Sequence, residues 1–293
     1  HNLQYQGIFG IREIQDILGL GDSLWTDDKL ECFGCANFMK AALVYTDLIT
    51  TVSPSYAEEI QTAYYGERLD GLLRARKHQV FGVLNGIDMV RYDPAADKII
   101  AANYSVDNMA GKAACKLALQ REMGLNEDAE APIIAIVSRL VSHKGLDLIC
   151  EVLHDIMELP VQLVILGKGE AKYEQFFLNL QACFPDKVRA LITYDRDLSK
   201  RIYAATDIFL MPSKSEACGL SQMIASRYGT VPIVREVGGL YDTIHPYDRT
   251  TGEGNGITFC NYDALDNEIE HFYTAIYNSS TNTTLRSLSG INL

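Results

Sequence analysis

The stretch APIIAIVSRLVSHKGLDL, residues 131–148, decides the fold. Residues 132–137 are a continuous apolar run that ends at Ser138-Arg139, and Lys144-Gly145 leads into an amphipathic segment at 146–157. An apolar run too short for a helix, followed by polar residues with a glycine and then by helical periodicity, reads as strand, loop and helix. The unit recurs downstream. Apolar runs at 161–166, 188–193, 207–211 and 231–234 alternate with helical-period segments at 170–183, 198–205 and 220–228. Unbroken apolar strands separated by helices predict βαβ units and a parallel sheet covered on both faces. The fold class is therefore α/β, with a doubly wound parallel-sheet carboxyl-terminal domain.

Upstream of this stretch the pattern changes. Helical periodicity holds at 109–123, whereas 93–107 is polar and irregular, so a domain boundary is expected between 88 and 130 and is drawn at residue 90. Within residues 1–90, the apolar run 41–52 fits a buried strand. Ser53-Pro54 then marks a helix start, with Ser as cap and Pro at the first helical position. A second apolar run, 80–84, ends at the turn signal Asn85-Gly86. Two convincing strands are too few for an independent covered sheet. Residues 1–90 thus read as the end of an incomplete amino-terminal α/β domain, and a chain opening on His1 rather than Met reads as processed or as a fragment.

Composition narrows the function. The 293 residues carry a formal net charge of −12 and are 47% hydrophobic, the balance of a soluble globular protein. An acidic surface repels nucleic-acid phosphates. No run reaches the 18 or so apolar residues a membrane span needs, and no signal peptide is visible. Neither nucleic acid nor a membrane is an expected partner. The seven cysteines are odd in number and lack framework spacing, which favours a reducing compartment. Cys32 and Cys35 form a lone C-x-x-C without a second pair to complete a zinc site; they read as two small buried residues. An acidic chain also repels anionic ligands, so any anion site must be built from a few placed cations.

Such cations fall where an open parallel sheet binds ligands, beyond the carboxyl ends of its strands. Strand 132–137 runs into Ser138-Arg139 and then Lys144. Strand 161–166 runs into Gly167-Lys168-Gly169, strand 207–211 into Pro212-Ser213 and Glu216–Ser221, and strand 231–234 toward Gly238-Gly239. A guanidinium, an ammonium and a helix start at Gly219 suit a diphosphate. Each feature alone has a plainer reading: a glycine pair is usually a turn, and a lone Arg or Lys after a strand is usually solvated. Their convergence on one edge carries the inference.

The segments Ser138-Arg139-Leu140-x-Ser142-x-Lys144-Gly145-Leu146-Asp147, Tyr203-Ala204-x-x-Asp207-x-x-Leu210-Met211-Pro212-Ser213 and Glu216-x-Cys218-Gly219-Leu220 resemble bacterial glycogen synthases and plant starch synthases. So do His1-Asn2-Leu3-x-Tyr5-Gln6-Gly7, Thr50-Thr51-Val52-Ser53-Pro54 and Leu84-Asn85-Gly86-Ile87-Asp88. The resemblance covers most of residues 1–260. It implies a GT-B fold, in which 91–293 is the nucleotide-sugar-binding Rossmann-like domain lacking its last crossover helix.

Roles follow from the resemblance residue by residue. Arg139 and Lys144 correspond to the pair that clamps the donor pyrophosphate, and Glu216 to the carboxylate that holds the glucose hydroxyls. Cys218 lines the cleft as a small residue. Gly219, Leu220 and Ser221 offer backbone donors, and Gly238 and Gly239 line the same cleft. Tyr194 corresponds to an aromatic residue stacked on adenine, or else to surface packing. His1 and Asn85 correspond to polar contacts with the donor glucose. Ala217 and Ser221 stand where the family usually has Pro and Thr, and the family's Lys-x-Gly-Gly-Leu motif is not in the sequence. The implied activity is transfer of glucose from ADP-glucose to the non-reducing end of an α-1,4-glucan with retention, without metal or other cofactor. The expected partners are a nucleotide sugar and an α-glucan, the expected setting is the bacterial cytoplasm or a plastid, and the oligomeric state is open. A sucrose- or trehalose-type transferase and an inactive nucleotide-binding fragment are the alternatives.

Overall fold

The computed structural model describes residues 2–248, 250–260 and 262. These divide into two units, one of residues up to Asn85 together with Glu216–Cys218, the other of Gly86–Ser215 with the residues from Gly219 on.

The first unit contains β1 (Ile8–Phe9), α1 (Ile11–Leu18), β2 (Glu31–Cys32), β3 (Cys35–Asn37), α2 (Phe38–Tyr45), β4 (Ile49–Thr51), α3 (Pro54–Glu59), α4 (Asp70–Ala75) and β5 (Val80–Gly82). Two small sheets result, an antiparallel one in the order β1-β3-β2 and a parallel pair β4-β5. The run expected to be one strand over 41–52 is instead the end of α2 followed by β4. Asn37 caps α2 by accepting the Lys40 N–H at 2.9 Å, and an all-apolar helix turn has no periodicity to distinguish it from a strand. The Ser53 cap is present, its hydroxyl accepting the Tyr56 N–H at 2.9 Å. Cys32 and Cys35 face each other across the β2–β3 hairpin. Both are half-buried rather than buried, because Phe33 (φ 53°) and Gly34 (φ 82°) form an exposed turn between them. Leu43, Tyr56, Leu69 and Leu73 centre this unit's core, and Ala217 packs against it.

The second unit opens with a segment free of helix and strand, then α5 (Ala110–Met123), β6 (Ile133–Val137), α6 (Leu146–Glu158), β7 (Gln162–Leu166), α7 (Ala171–Cys183), β8 (Val188–Leu191), α8 (Arg196–Ala205), β9 (Ile208–Met211), α9 (Ser221–Arg227), β10 (Val231–Arg235), α10 (Gly238–Thr243) and β11 (Ile257–Phe259). The six strands lie in the order β11-β10-β9-β6-β7-β8, and every pairing is parallel. Ile134, Ile136, Leu163, Ile165 and Phe177 are essentially excluded from solvent, as expected of strands covered on both faces. The sequence pattern did not announce β11 or α10, and each is only three to six residues long. The tail from residue 278 lies outside the described residues.

Two cations, the buried Lys200 and the half-buried Lys112, moor this unit's periphery. Lys200 donates to Asp97 at 2.9 Å and to the Arg91 carbonyl at 2.8 Å, and the Tyr228 hydroxyl donates to the same Asp97 carboxylate. Lys112 reaches the carbonyls of Ala204 (3.2 Å) and Tyr228 (2.9 Å) and the Thr230 hydroxyl (3.0 Å). It thereby serves the carbonyl ends of α8 and α9, where a helix carries its negative pole. Burial lowers the Lys112 pKa from 10.5 to about 8, against the opposing pull of Asp207. A lysine whose folded pKa is depressed is bound to fewer protons folded than unfolded, so its contribution to stability rises with pH between those two values. The stability of the wild type relative to Lys112→Met is therefore expected to increase by up to about 3 kcal/mol between pH 8 and 10.5 in urea titrations. A flat difference across that range would show that the ammonium is not held among these carbonyls.

Candidate active site

Crossing from β8 back to β9 places the topological switch of the sheet between β6 and β9, where a crevice opens at the carboxyl ends of an open α/β sheet. The loops after β6, β7 and β9 are laced together there. The Leu140 N–H donates to the Lys168 carbonyl at 3.0 Å and the Lys214 N–H to the His143 carbonyl at 2.9 Å. Glu170 accepts the Ser142 N–H at 2.8 Å, and this bond, reinforced by Lys172, holds its carboxyl below the usual range. Gly145 has φ 74°, and a β-carbon on it would lie 1.9 Å from the Pro212 carbonyl oxygen. No side chain fits between the two loops.

This lacing presents Arg139, exposed, and Lys144, half-buried, from a single loop, with α6 beginning directly after Lys144-Gly145. Behind Lys144 a void of about 10 Å³, room for one water, lies between Val137, Ser138, Met211 and Pro212. Gly219 has φ 75° and sits before α9, whose first residue is Ser221; Leu220 is exposed. The Ser221 side chain hydrogen-bonds the buried Tyr203 phenol, whose pKa burial pushes up to about 12. Gly238 and Gly239 open α10, both buried. Tyr194 follows β8 and is 87% exposed, which leaves its ring available for stacking.

Arg139, Lys144, Tyr194, Gly219, Leu220, Ser221, Gly238 and Gly239 thus all belong to the second unit and follow carboxyl ends of its strands. Asn85, Glu216 and Cys218 group with the first unit. There Cys218 is buried. Glu216 is half-buried, and its charge, with those of Glu59 and Glu67, adds to the burial that raises the Tyr56 pKa. His1 lies outside the described residues. Among those residues no group of three His, Cys, Asp or Glu side chains is placed to hold a metal ion, and no helix is long and apolar enough to cross a membrane.

The sequence pattern assigns no role to four residues of this edge. Asp147, in the first turn of α6, pairs with Lys214 beyond β9 and accepts the Tyr262 hydroxyl. Lys214 and Arg235 lie 4.7 and 5.4 Å from the Tyr262 ring centre, and Arg235 donates to the Lys214 carbonyl at 3.0 Å. Burial works to raise the Asp147 pKa, but the Lys214 and Tyr262 hydrogen bonds outweigh it and hold the carboxyl below its usual range.

A doubly wound sheet with two cations on the switch-point loop defines a class, and the comparison with known families agrees: the chain belongs to the group 1 glycosyl transferases, whose family model matches residues 122–275. Residues 1–75 match the starch synthase catalytic domain. Within that class the chain is 54% identical over 266 residues to the glycogen synthase of Geobacillus thermodenitrificans, covering 91% of this chain and 55% of the relative. It is 51% identical over 264 residues to the glycogen synthase of Clostridioides difficile, covering 90% of this chain and 55% of that one. The chain therefore spans about half the length of the curated relatives it matches. Among solved structures, the catalytic domain of starch synthase IV from Arabidopsis thaliana, bound to ADP and acarbose, superposes with a TM-score of 0.90 at 34% identity, covering 99% of this chain and 61% of that one. Anabaena HepE in complex with UDP and glucose superposes with a TM-score of 0.54 at 16% identity, covering 85% and 59%, and bears on the fold alone. The fold is of the GT-B type.

Proposed function

We propose that this chain is the nucleotide-sugar half of a glycogen or starch synthase, which transfers glucose from ADP-glucose to the non-reducing end of an α-1,4-glucan with retention. The observation that carries the reading is the pair Arg139 and Lys144 on the switch-point loop, in a chain so similar to glycogen synthases. Cleavage of the bond between the anomeric carbon and phosphate puts negative charge on the departing ADP and positive character on the sugar. A guanidinium and an ammonium fixed where the negative charge grows bind the transition state more tightly than the substrate. Glu216 orients the glucose hydroxyls, Tyr194 stacks on adenine, and Gly219–Ser221 with Gly238 and Gly239 bring backbone close to the diphosphate. Asn85 and His1 contact the donor glucose. The acarbose-bound starch synthase IV supports the acceptor class, and its ADP supports the nucleotide.

Calorimetry on the chain tests the donor half of this reading. ADP is expected to bind at least tenfold more tightly than AMP, whose missing β-phosphate forfeits a charge-assisted contact, and more tightly than UDP. Preference for UDP would overturn the nucleotide assignment, and absence of any ADP-over-AMP preference would overturn the diphosphate site.

A further inference from the structure

Lys144 sits in a tight turn whose two flanks are held by one residue. Lys214 donates its backbone N–H to the His143 carbonyl, immediately before Lys144, at 2.9 Å. Its ammonium grips the Asp147 carboxylate, three residues after Lys144. Neither end of that bracket is loose. The Lys214 carbonyl accepts from Arg235 at 3.0 Å, and Arg235 also donates to the Cys260 carbonyl at 3.1 Å. Tyr262 lies against both cations and donates its hydroxyl to Asp147. Glu170 accepts the Ser142 N–H, and the Gly145 backbone abuts the Pro212 carbonyl. Three loops at the sheet edge, those after β7, β9 and β11, therefore converge on residues 142–147.

We infer that Lys214 and Asp147 are positioning residues for the Lys144 ammonium, with Tyr262 and Arg235 as their support. The inference rests on Lys144 serving a diphosphate. An isolated exposed ion pair contributes little to stability, so an ion pair nested among Tyr262 and Arg235 at this edge is better suited to fixing geometry than to holding the fold. Asp147 also offsets the charge of Lys214, its ion-pair partner.

The test is ADP and AMP calorimetry on the whole chain, with the ratio of their affinities as the readout and thermal unfolding as the check on folding. Wild type and Lys144→Ala come first. A wild type with no preference for ADP overturns the diphosphate role of Lys144 itself, an outcome distinct from failure of the positioning role alone. Given that preference, Asp147→Asn is expected to lower the ADP-to-AMP ratio about tenfold, the size of one hydrogen bond to a charged group, with AMP affinity kept. Tyr262→Phe is expected to lower it by about threefold, and Lys214→Arg, which keeps the pair, to retain it. In the Lys144→Ala background Asp147→Asn is expected to have no further effect, because a residue that acts through another is not additive with it. An unchanged ratio in Asp147→Asn, a ratio that rises through the loss of a nearby negative charge, or full additivity with Lys144→Ala would each overturn the inference. Should Asp147→Asn fail to fold, Lys214→Met in the same cycle carries the same outcomes.

Discussion

Lys144→Ala in the full-length protein is expected to lower kcat for glucosyl transfer by about 10²–10³-fold, while glucan affinity changes less than threefold. The size is that of removing one preorganised donor from a developing negative charge. The selectivity follows from geometry: the turn is shaped by backbone, not by the lysine side chain. The Lys144 N–H donates to the Val141 carbonyl, the Gly145 N–H to Ser142 and the Lys214 N–H to His143, at 3.0, 3.1 and 2.9 Å. All three bonds survive truncation at Cβ, so the turn keeps its backbone hydrogen bonds. Arg139→Ala is expected to act in the same direction, and Arg139→Lys to restore only part of the rate, because an ammonium cannot reproduce the guanidinium fork. Steady-state kinetics with ADP-glucose and glycogen, beside glycogen binding by affinity electrophoresis, checks both. Wild-type turnover in Lys144→Ala would remove the assigned role.

Asp97→Ala is expected to destabilise the second unit by about 3–5 kcal/mol, the usual result of leaving one buried charge without its partner. Asp97 and Lys200 side chains are 3% and 9% exposed and meet at 2.9 Å. Removing the carboxylate strands the ammonium and deprives the Tyr228 hydroxyl of its acceptor. The double variant Asp97→Leu with Lys200→Met is expected to recover most of that loss, since two apolar groups replace two charges. The pH dependence has a definite sign. Burial pushes the Asp97 pKa up, but hydrogen bonds from Tyr228, Ile99 and Lys200 bring it below the ordinary value. A depressed carboxyl contributes stability above its unfolded pKa and loses it as pH falls through the folded one. Wild type and variant should therefore converge in acid, below about pH 4. Urea unfolding followed by circular dichroism at neutral and acid pH measures both effects. A loss under about 1 kcal/mol at neutral pH, or no convergence, would contradict the account.

Much of the sheet was legible because β6 to β10 are short apolar runs bounded by polar or glycine-containing loops, a pattern that buried parallel strands must have. The first unit resisted for a physical reason. Residues 41–45 are apolar on every side, so neither period is visible, and the side chain of Asn37 decides for helix. The Phe33-Gly34 turn, which carries Cys32 and Cys35 toward the surface, depends on a positive φ that Phe seldom adopts. The placement of Arg139 and Lys144 after β6 could be read because position after a strand is a property of adjacent residues. Their bracket could not. Lys214 meets Asp147 across 67 positions and Tyr262 meets it across 115, and no local spacing encodes such partnerships.

The switch-point pairing also dictates when the crevice comes into being. β6 finds β7 through one local crossover, but its other neighbour, β9, begins far downstream: the Ile133 N–H bonds the Asp207 carboxylate across 74 positions. A chain leaving the ribosome can therefore assemble β6, β7 and β8 while the cationic loop still lacks its opposite lip. The edge proposed to bind the diphosphate is a late-arriving property of the nascent polypeptide, created when β9 closes the centre of the sheet.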